Sequence, residues 1–380
     1  MERQIVFLAV VCLLTGVLAH AQIEQKEYIL TKLGRDTIAV EEFTADAIGL
    51  RGTSVARSNR TTLREYSARF NAAGNLENFH VTYTRGGATV SEREYLYSND
   101  SVNVTIKQDT STTRYAVAAQ DRPFPFFIDI FGAWQASLQR AMAAGKKEFG
   151  VIAAKRILRY SIEELSPGKL KLVNREHDFG PLAAELGKEN QLEKFDMTAT
   201  TDKFIAERIS PVDVSTMAKE YAEREKAGKA LGVLSPRDTV QAEINGAHIL
   251  IDYGRPAVRG RKIFGGVVAW DSVWRTGANA ATQLTMDKEI RFGSIVVPPG
   301  TYTLFSVPAT GRLLLIINRQ HGQWGTEYDQ TKDLARLPME TRLLDELVER
   351  FTFELSGQGT EGLLRFKWEH TEASIPFTVP

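Results

Sequence analysis

The sequence predicts a mainly β protein of two β domains: an antiparallel meander or half-barrel with a packed helix, then a β-sandwich or jelly-roll. Three observations carry that prediction. Short alternations of apolar and polar residues, rich in β-branched and aromatic side chains, recur between turn signals along most of the 380 residues. A single strong apolar stripe at helical spacing interrupts the first run of alternations. A charged helical stretch then separates that run from a second one. Hydrophobic residues at 43% and charged residues at 25% are ordinary for packed domains, and the length suits two of them.

Residues 1–21 read as a leader. Arg3 gives a positive start, Ile5 to Leu18 are apolar or small, and Ala19-His20-Ala21 fits a small-x-small cleavage site. The expectation is a signal peptide cleaved before Gln22, no membrane span after cleavage, and a periplasmic or secreted bacterial protein. The chain's one cysteine, Cys12, lies in this leader. The mature chain then has no disulfide, no cysteine nucleophile and no thiolate metal site.

Residues 22–209 form the expected first domain. Strands are predicted around Tyr28-Ile29-Leu30, Thr37 to Val40, Phe79 to Tyr83, Glu94 to Tyr97 and Val102 to Ile106, with turns at Gly34-Arg35-Asp36, Gly74-Asn75 and Gly86-Gly87. Phe127, Ile130, Phe131, Trp134, Leu138 and Met142 fall at three- and four-residue steps, which predicts a core-facing helix near 126–144. Arg122-Pro123-Phe124-Pro125 is read as its start and Gly145 as its stop. Strands resume at Ile157 to Ile162 and Lys169 to Val173. The segments Leu76 to Thr82 and Leu192 to Thr198 echo each other, which suggests two similar meanders flanking the helix. This layout resembles the half-barrels that carry lipids across bacterial envelopes and keeps an apolar-ligand carrier open.

Residues 210–233 read as a helical linker that starts at Ser210-Pro211-Val212-Asp213 and carries balanced charge through Lys229. The second domain spans 234–380. Asn245-Gly246 predicts a tight hairpin. Strands follow at Ala281 to Met286, Glu289 to Phe292, Thr301 to Val307 and Leu313 to Asn318. A helix is predicted over Met339 to Glu349, ahead of three closing strands at Phe351 to Leu355, Leu363 to Trp368 and Ile375 to Val379.

Between the hairpin and these strands lies a stretch with no regular pattern, Gly254 to Gly277. Unstructured segments of that length in compact domains are usually functional or disordered. Ile263, Phe264, Val267, Val268, Trp270 and Trp274 anchor this one. Its arginines offer planar forks for carboxylate or phosphate, and its tryptophans offer stacking faces. The motifs Gly254-Arg255-Pro256, Gly260 to Gly265, Trp274-Arg275-Thr276-Gly277-Ala278-Asn279 with Thr282, and Pro299 to Phe305, followed by Trp324-Gly325, Tyr328 and Asp333, resemble the bacterial family catalogued as domain of unknown function 2911. The resemblance covers about Leu234 to Pro380. It implies an exported β domain and brings no established activity, so no catalytic residue comes with it.

Two readings of these residues stand at this point. In one, Arg255, Arg261, Trp274, Arg275, Asn279, Thr282 and Tyr302 build a binding site for a small anionic ligand or an envelope component. In the other, the same motif only holds the loop together. A hydrolase with Asp271 or Asp333 as acid or base is the competing class. Net charge is zero, with Lys plus Arg and Asp plus Glu both at 47, which argues against a nucleic-acid partner. The remaining histidines are scattered singly, no metal-ligand spacing occurs, and no serine-nucleophile or phosphate-loop motif appears. No catalytic residue, metal or cofactor is therefore predicted.

Overall fold

The computed structural model describes residues 25–176 and 180–380. The expected signal peptide, Cys12 and His177 lie outside the described residues. Fifteen strands form the first sheet. Eight run as an antiparallel meander: β1 (Glu27–Leu33), β2 (Asp36–Ala45), β3 (Gly49–Ala56), β4 (Thr62–Phe70), β5 (Leu76–Arg85), β6 (Ala88–Tyr97), β7 (Ser101–Gln108) and β8 (Ser111–Ala118). A two-residue strand, β9 (Phe124–Pro125), leads into helix α1 (Phe131–Ala143). The meander resumes through β10 (Glu148–Ala153), β11 (Arg156–Ser166), β12 (Lys169–Asn174), β13 (Leu182–Leu186), β14 (Leu192–Asp196) and β15 (Ile205–Arg208). β15 then pairs with β1, Ile29 opposite Arg208, and joins the two meanders into one open sheet edged by β8 and β9.

The sheet curls around α1, whose Phe131, Trp134, Leu138 and Ala141 are all buried. Trp134 meets Phe126, Phe149 and Tyr160 edge-on and Phe195 at a tilt, with centroids 5.0–6.0 Å away. These rings pack the space between α1 and the sheet around Trp134. The sequence echo has a packing reason. Leu76 and Phe79 on β5 and Leu192 and Phe195 on β14 are fully buried anchors on two sides of α1.

The helix starts later than its prolines suggest, because Phe124-Pro125 is spent on β9. Ile130, at the N-cap, has no side-chain oxygen to offer. Glu41 of β2 takes that role from the sheet: its carboxylate accepts the amides of Phe131 (2.7 Å) and Gly132 (3.2 Å) and the Tyr66 hydroxyl. A second polar set, Glu27, Gln135 and Arg208, ties α1 to β1 and β15.

Helix α2 (Val214–Lys226) is capped by Asp213, which accepts from the Thr216 amide at 2.9 Å. Val214 and Tyr221 pack on Val40 and Val55, and Arg57 lies over the Tyr221 ring. The connecting segment is thus fastened to the first sheet.

The second sheet has nine strands. They are β16 (Arg237–Ile244), β17 (Ala247–Gly254), β18 (Thr282–Met286), β19 (Ile290–Phe292), β20 (Ile295–Val297), β21 (Gly300–Ala309), β22 (Arg312–Asn318), β23 (Asp333–Gln358) and β24 (Glu361–Thr378), in the order β16-β17-β18-β21-β22-β23-β24-β19-β20. Asn245 and Gly246 both have positive φ, as the predicted hairpin turn requires. Gly357 of β23 lies against Ile244 of β16, so the sheet folds back over its own core.

One prediction is corrected here. Met339 to Glu349 is strand, and the expected closing strands merge into β23 and β24. Leu343, Leu344, Leu347 and Val348 have helical spacing, yet Leu343 is 84% exposed. Pairing decides the matter: Glu340, Thr341 and Arg342 stand opposite Ser374, Ala373 and Glu372. Arg342 grips the buried Glu372 carboxylate at 2.6 and 2.9 Å across that ladder. The apolar spacing coincides with a bulged stretch between Leu343 and Val348.

Candidate functional site

The segment between β17 and β18 carries only isolated bridges, among them Ala257 to Arg350 and Trp274 to Ser306. Its first half docks on the first sheet. The Gly34-Arg35-Asp36 turn between β1 and β2 meets it, and the Arg35 amide donates to the Arg259 carbonyl at 3.0 Å. Gly34 has φ +61°, and a Cβ there would lie 2.2 Å from that carbonyl, so only glycine fits. The buried Arg259 guanidinium pairs with Asp36, and its amide donates to Glu349 at 2.9 Å.

The second half is the Trp274 to Asn279 motif, and most of its polar groups are consumed in holding its shape. The Trp274 backbone exchanges bonds of 2.7 and 2.8 Å with Ser306, and its indole N–H donates to the Gly277 carbonyl at 3.2 Å. Thr276 is β-branched yet sits at φ +46°, a strained conformation. Its hydroxyl meets Ser306 Oγ at 2.9 Å and its carbonyl accepts from Thr282 at 2.9 Å, which pins it there. The Asn279 carbonyl accepts from the Gly325 amide at 3.0 Å.

Arg275 is the exception. Among the described residues its guanidinium makes no hydrogen bond and no ion pair. Its stem lies on Gly325, where a Cβ would come within 2.4 Å of Arg275 Cδ. The side chain faces a cleft of about 420 Å³ at the junction of the two sheets. The far wall comes from the β14–β15 loop, with Asp202 and Lys203; Ser58-Asn59 and Leu234-Ser235 complete it. Trp274 and Trp368 form an aromatic wall, stacked at 5.6 Å and 17°. Trp368 is buried and, among the described residues, its indole N–H has no partner.

Three cations, Arg261, Arg275 and Lys203, and one carboxylate, Asp202, line the cleft. The Arg261 guanidinium donates to the Val258 and Ala257 carbonyls at 3.1 and 2.7 Å with Glu349 and Asp36 nearby, and Lys203 donates to the Thr198 carbonyl at 3.0 Å. Burial pulls the Arg275 guanidinium below its usual range, partly offset by Asp202. Burial also lowers Lys203, with Arg275 and Arg261 adding to the effect. The Asp202 carboxyl is raised by burial and held back by Arg275. Desolvated cations with too few counter-charges favour an incoming anion. A cleft of this size is in the range of small-ligand sites, about 300–1,000 Å³.

Of the residues predicted for the site, Arg261, Trp274, Arg275 and Asn279 line this cleft. Arg255, Thr282 and Tyr302 are occupied elsewhere. Arg255 donates to Asp238 (2.7 Å), Thr352 (2.9 Å) and the Phe351 carbonyl (3.1 Å). Thr282 bonds Thr276, and the Tyr302 hydroxyl donates to the Pro298 carbonyl at 3.0 Å. Neither Asp271 nor Asp333 lines the cleft. Asp333 is taken up by Tyr328, Asn318 and Arg336. Among the described residues no group of His, Cys, Asp and Glu is arranged to hold a metal. Asp202, Lys203, Asn59 and Trp368 were missed. The first three belong to the other sheet, and the positive φ of Lys203 (+64°) has no sequence signature.

Two solved structures show a partial likeness. A DUF1089 family protein from Pseudomonas aeruginosa is 11% identical, with 41% of this chain and 88% of that chain covered and a TM-score of 0.32. A β-barrel-like protein of domain of unknown function DUF1849 from Brucella abortus is 11% identical, with 50% of this chain and 97% of that chain covered and a TM-score of 0.33. At these scores neither likeness assigns a fold or a function. No curated protein matches the chain. The loop, its cleft-facing motif and the strands around them fall in residues 235–377, which match the family described as "Protein of unknown function (DUF2911)", while the amino-terminal part matches no family.

Proposed function

We propose that this is an exported, non-enzymatic binding protein whose junction cleft holds a small anion bearing a carboxylate or phosphate. One observation carries the reading: the Trp274 and Thr276 groups of the motif are bonded within it and to the flanking strands, while among the described residues the Arg275 guanidinium is left unbonded in a cation-rich cleft. Arg275 supplies the planar fork and Arg261 and Lys203 add positive potential. Trp274 and Trp368 flank the space, and Asn279 orients the ligand. Export to the periplasm or the medium rests on the apolar leader of residues 1–21. Among the described residues no helix is long and apolar enough to cross a membrane.

The test is a tryptophan-fluorescence titration with inorganic phosphate and with succinate, comparing the native protein with Arg275→Ala and Arg275→Lys. At least tenfold weaker binding in Arg275→Ala, about 1.4 kcal/mol, is the expected result. Equal affinity in a folded Arg275→Ala variant contradicts the reading. Native mass spectrometry of protein taken from its own envelope fraction then identifies the anion.

A further inference from the structure

A second cleft, of about 740 Å³, lies on the first sheet at the carboxy-terminal end of α1, well away in sequence from the junction motif. Its walls include Arg122, Arg140, Asp121, Asn75 and Phe124. Arg140, in the last turn of α1, lies over the rings of Phe70 and Phe124 at 5.3 and 5.9 Å. Among the described residues its guanidinium makes no hydrogen bond and no ion pair, and its Nη1 is buried without a partner. Arg122 stands close by in the left-handed region (φ +47°), fixed by the Leu76 carbonyl at 3.0 Å and by Asn99 Oδ1 at 3.4 Å.

The acids of this cleft do not neutralise that pair. Asp121 is bound to Arg159 at 3.3 Å and Glu148 to Arg175 at 2.9 Å. Burial, and then the neighbouring Arg122 charge, push the Arg140 guanidinium below its usual range. A half-buried arginine lying over two rings, beside a second arginine and without an acid, is costly unless something anionic completes it. Asp121 Oδ1 is also buried, without a partner among the described residues, and can accept from a hydroxyl.

We propose that this cleft is a second binding site, taking a hydroxyl-bearing phosphate ester whose phosphate is gripped by Arg140 and Arg122. The guanidinium fork of Arg140 meets two phosphate oxygens while resting on Phe70 and Phe124, and Asp121 takes the ligand's hydroxyl. The same chemistry is offered by a free glycerol phosphate and by a glycerophospholipid headgroup.

The experiment uses the whole protein carrying Arg275→Ala, so that the junction cleft does not contribute. Calorimetric titration with glycerol 3-phosphate and co-sedimentation with phosphatidylglycerol vesicles separate the two sources. Binding in either arm that falls at least tenfold on Arg140→Lys, at unchanged melting temperature, supports the site. A soluble ligand is then indicated by the first arm and a lipid headgroup by the second alone. Arg122→Gln provides the same comparison if Arg140→Lys does not fold, with the same loss expected. Absence of binding in both arms, or binding that neither variant weakens, overturns the proposal. Inorganic phosphate binding as tightly as glycerol 3-phosphate overturns the role of Asp121.

Discussion

Around α1 the buried carboxylates are partnered inside the protein: Glu41 by two helix amides and Tyr66, Glu27 by Gln135 and Arg208, Asp129 by Arg64. At the junction cleft the chain does the reverse and leaves the Arg275 guanidinium without a bond. The contrast repeats within one loop, where Arg255 has three partners and Arg275 none. These carboxylates, and Arg255, are engaged by the fold itself. A half-buried guanidinium left unbonded, beside Thr276 at a strained φ, is what singles out Arg275 for the proposed role.

The largest effect that sharpens this contrast belongs to the sealed side. Trp134→Ala removes the ring at the centre of the α1 core and is expected to destabilise the protein by about 3–5 kcal/mol, with the junction cleft's ligand affinity unchanged wherever the chain remains folded. Denaturant unfolding of the variant and fluorescence titration of its folded fraction check both parts.

Next is Glu41, whose burial lifts its carboxyl from 4.5 to about 7 against the lowering effects of Tyr66 and the helix amides. Because the folded state holds this proton more tightly than the unfolded chain, its contribution is fully present below about pH 4.5 and is lost as pH rises through about 7. The gap amounts to about 3 kcal/mol. Glu41→Gln should flatten that fall in an unfolding series from pH 4.5 to 8, and an unchanged slope would count against the assignment.

Smaller still is Arg255→Ala. Losing the bonds to Asp238, Thr352 and the Phe351 carbonyl should lower stability by about 1–2 kcal/mol, measured by thermal unfolding. Full stability in that variant would break the distinction drawn between the two arginines.

Much of the fold was legible because its signals are local. Alternation exposed the strands, Asn245-Gly246 the hairpin, and the stripe from Phe127 to Met142 the helix. What stayed hidden depends on residues far apart in the chain. The β1–β15 pairing joins Ile29 to Arg208, and the cap of α1 comes from Glu41, 90 positions before Phe131. Met339 to Glu349 misleads because its leucines have helical spacing while its ladder partner, β24, has not yet been reached in the chain. The candidate site was half legible for the same reason. Arg261, Trp274, Arg275 and Asn279 share one loop, whereas Asp202 and Lys203 reach the cleft from the other sheet. Arg255 has the same residue type in the same loop as Arg275, and only the positions of Asp238 and Phe351 separate an anchoring arginine from a free one.

The most direct measurement is therefore on Arg275→Ala: melting temperature and phosphate or succinate affinity, determined on the same preparation. A stability within about 0.5 kcal/mol of the native protein's, together with at least tenfold weaker binding, is the predicted result. A loss of stability as large as that of Arg255→Ala, with binding unchanged, would show Arg275 to be one more strut of the loop and would contradict the account.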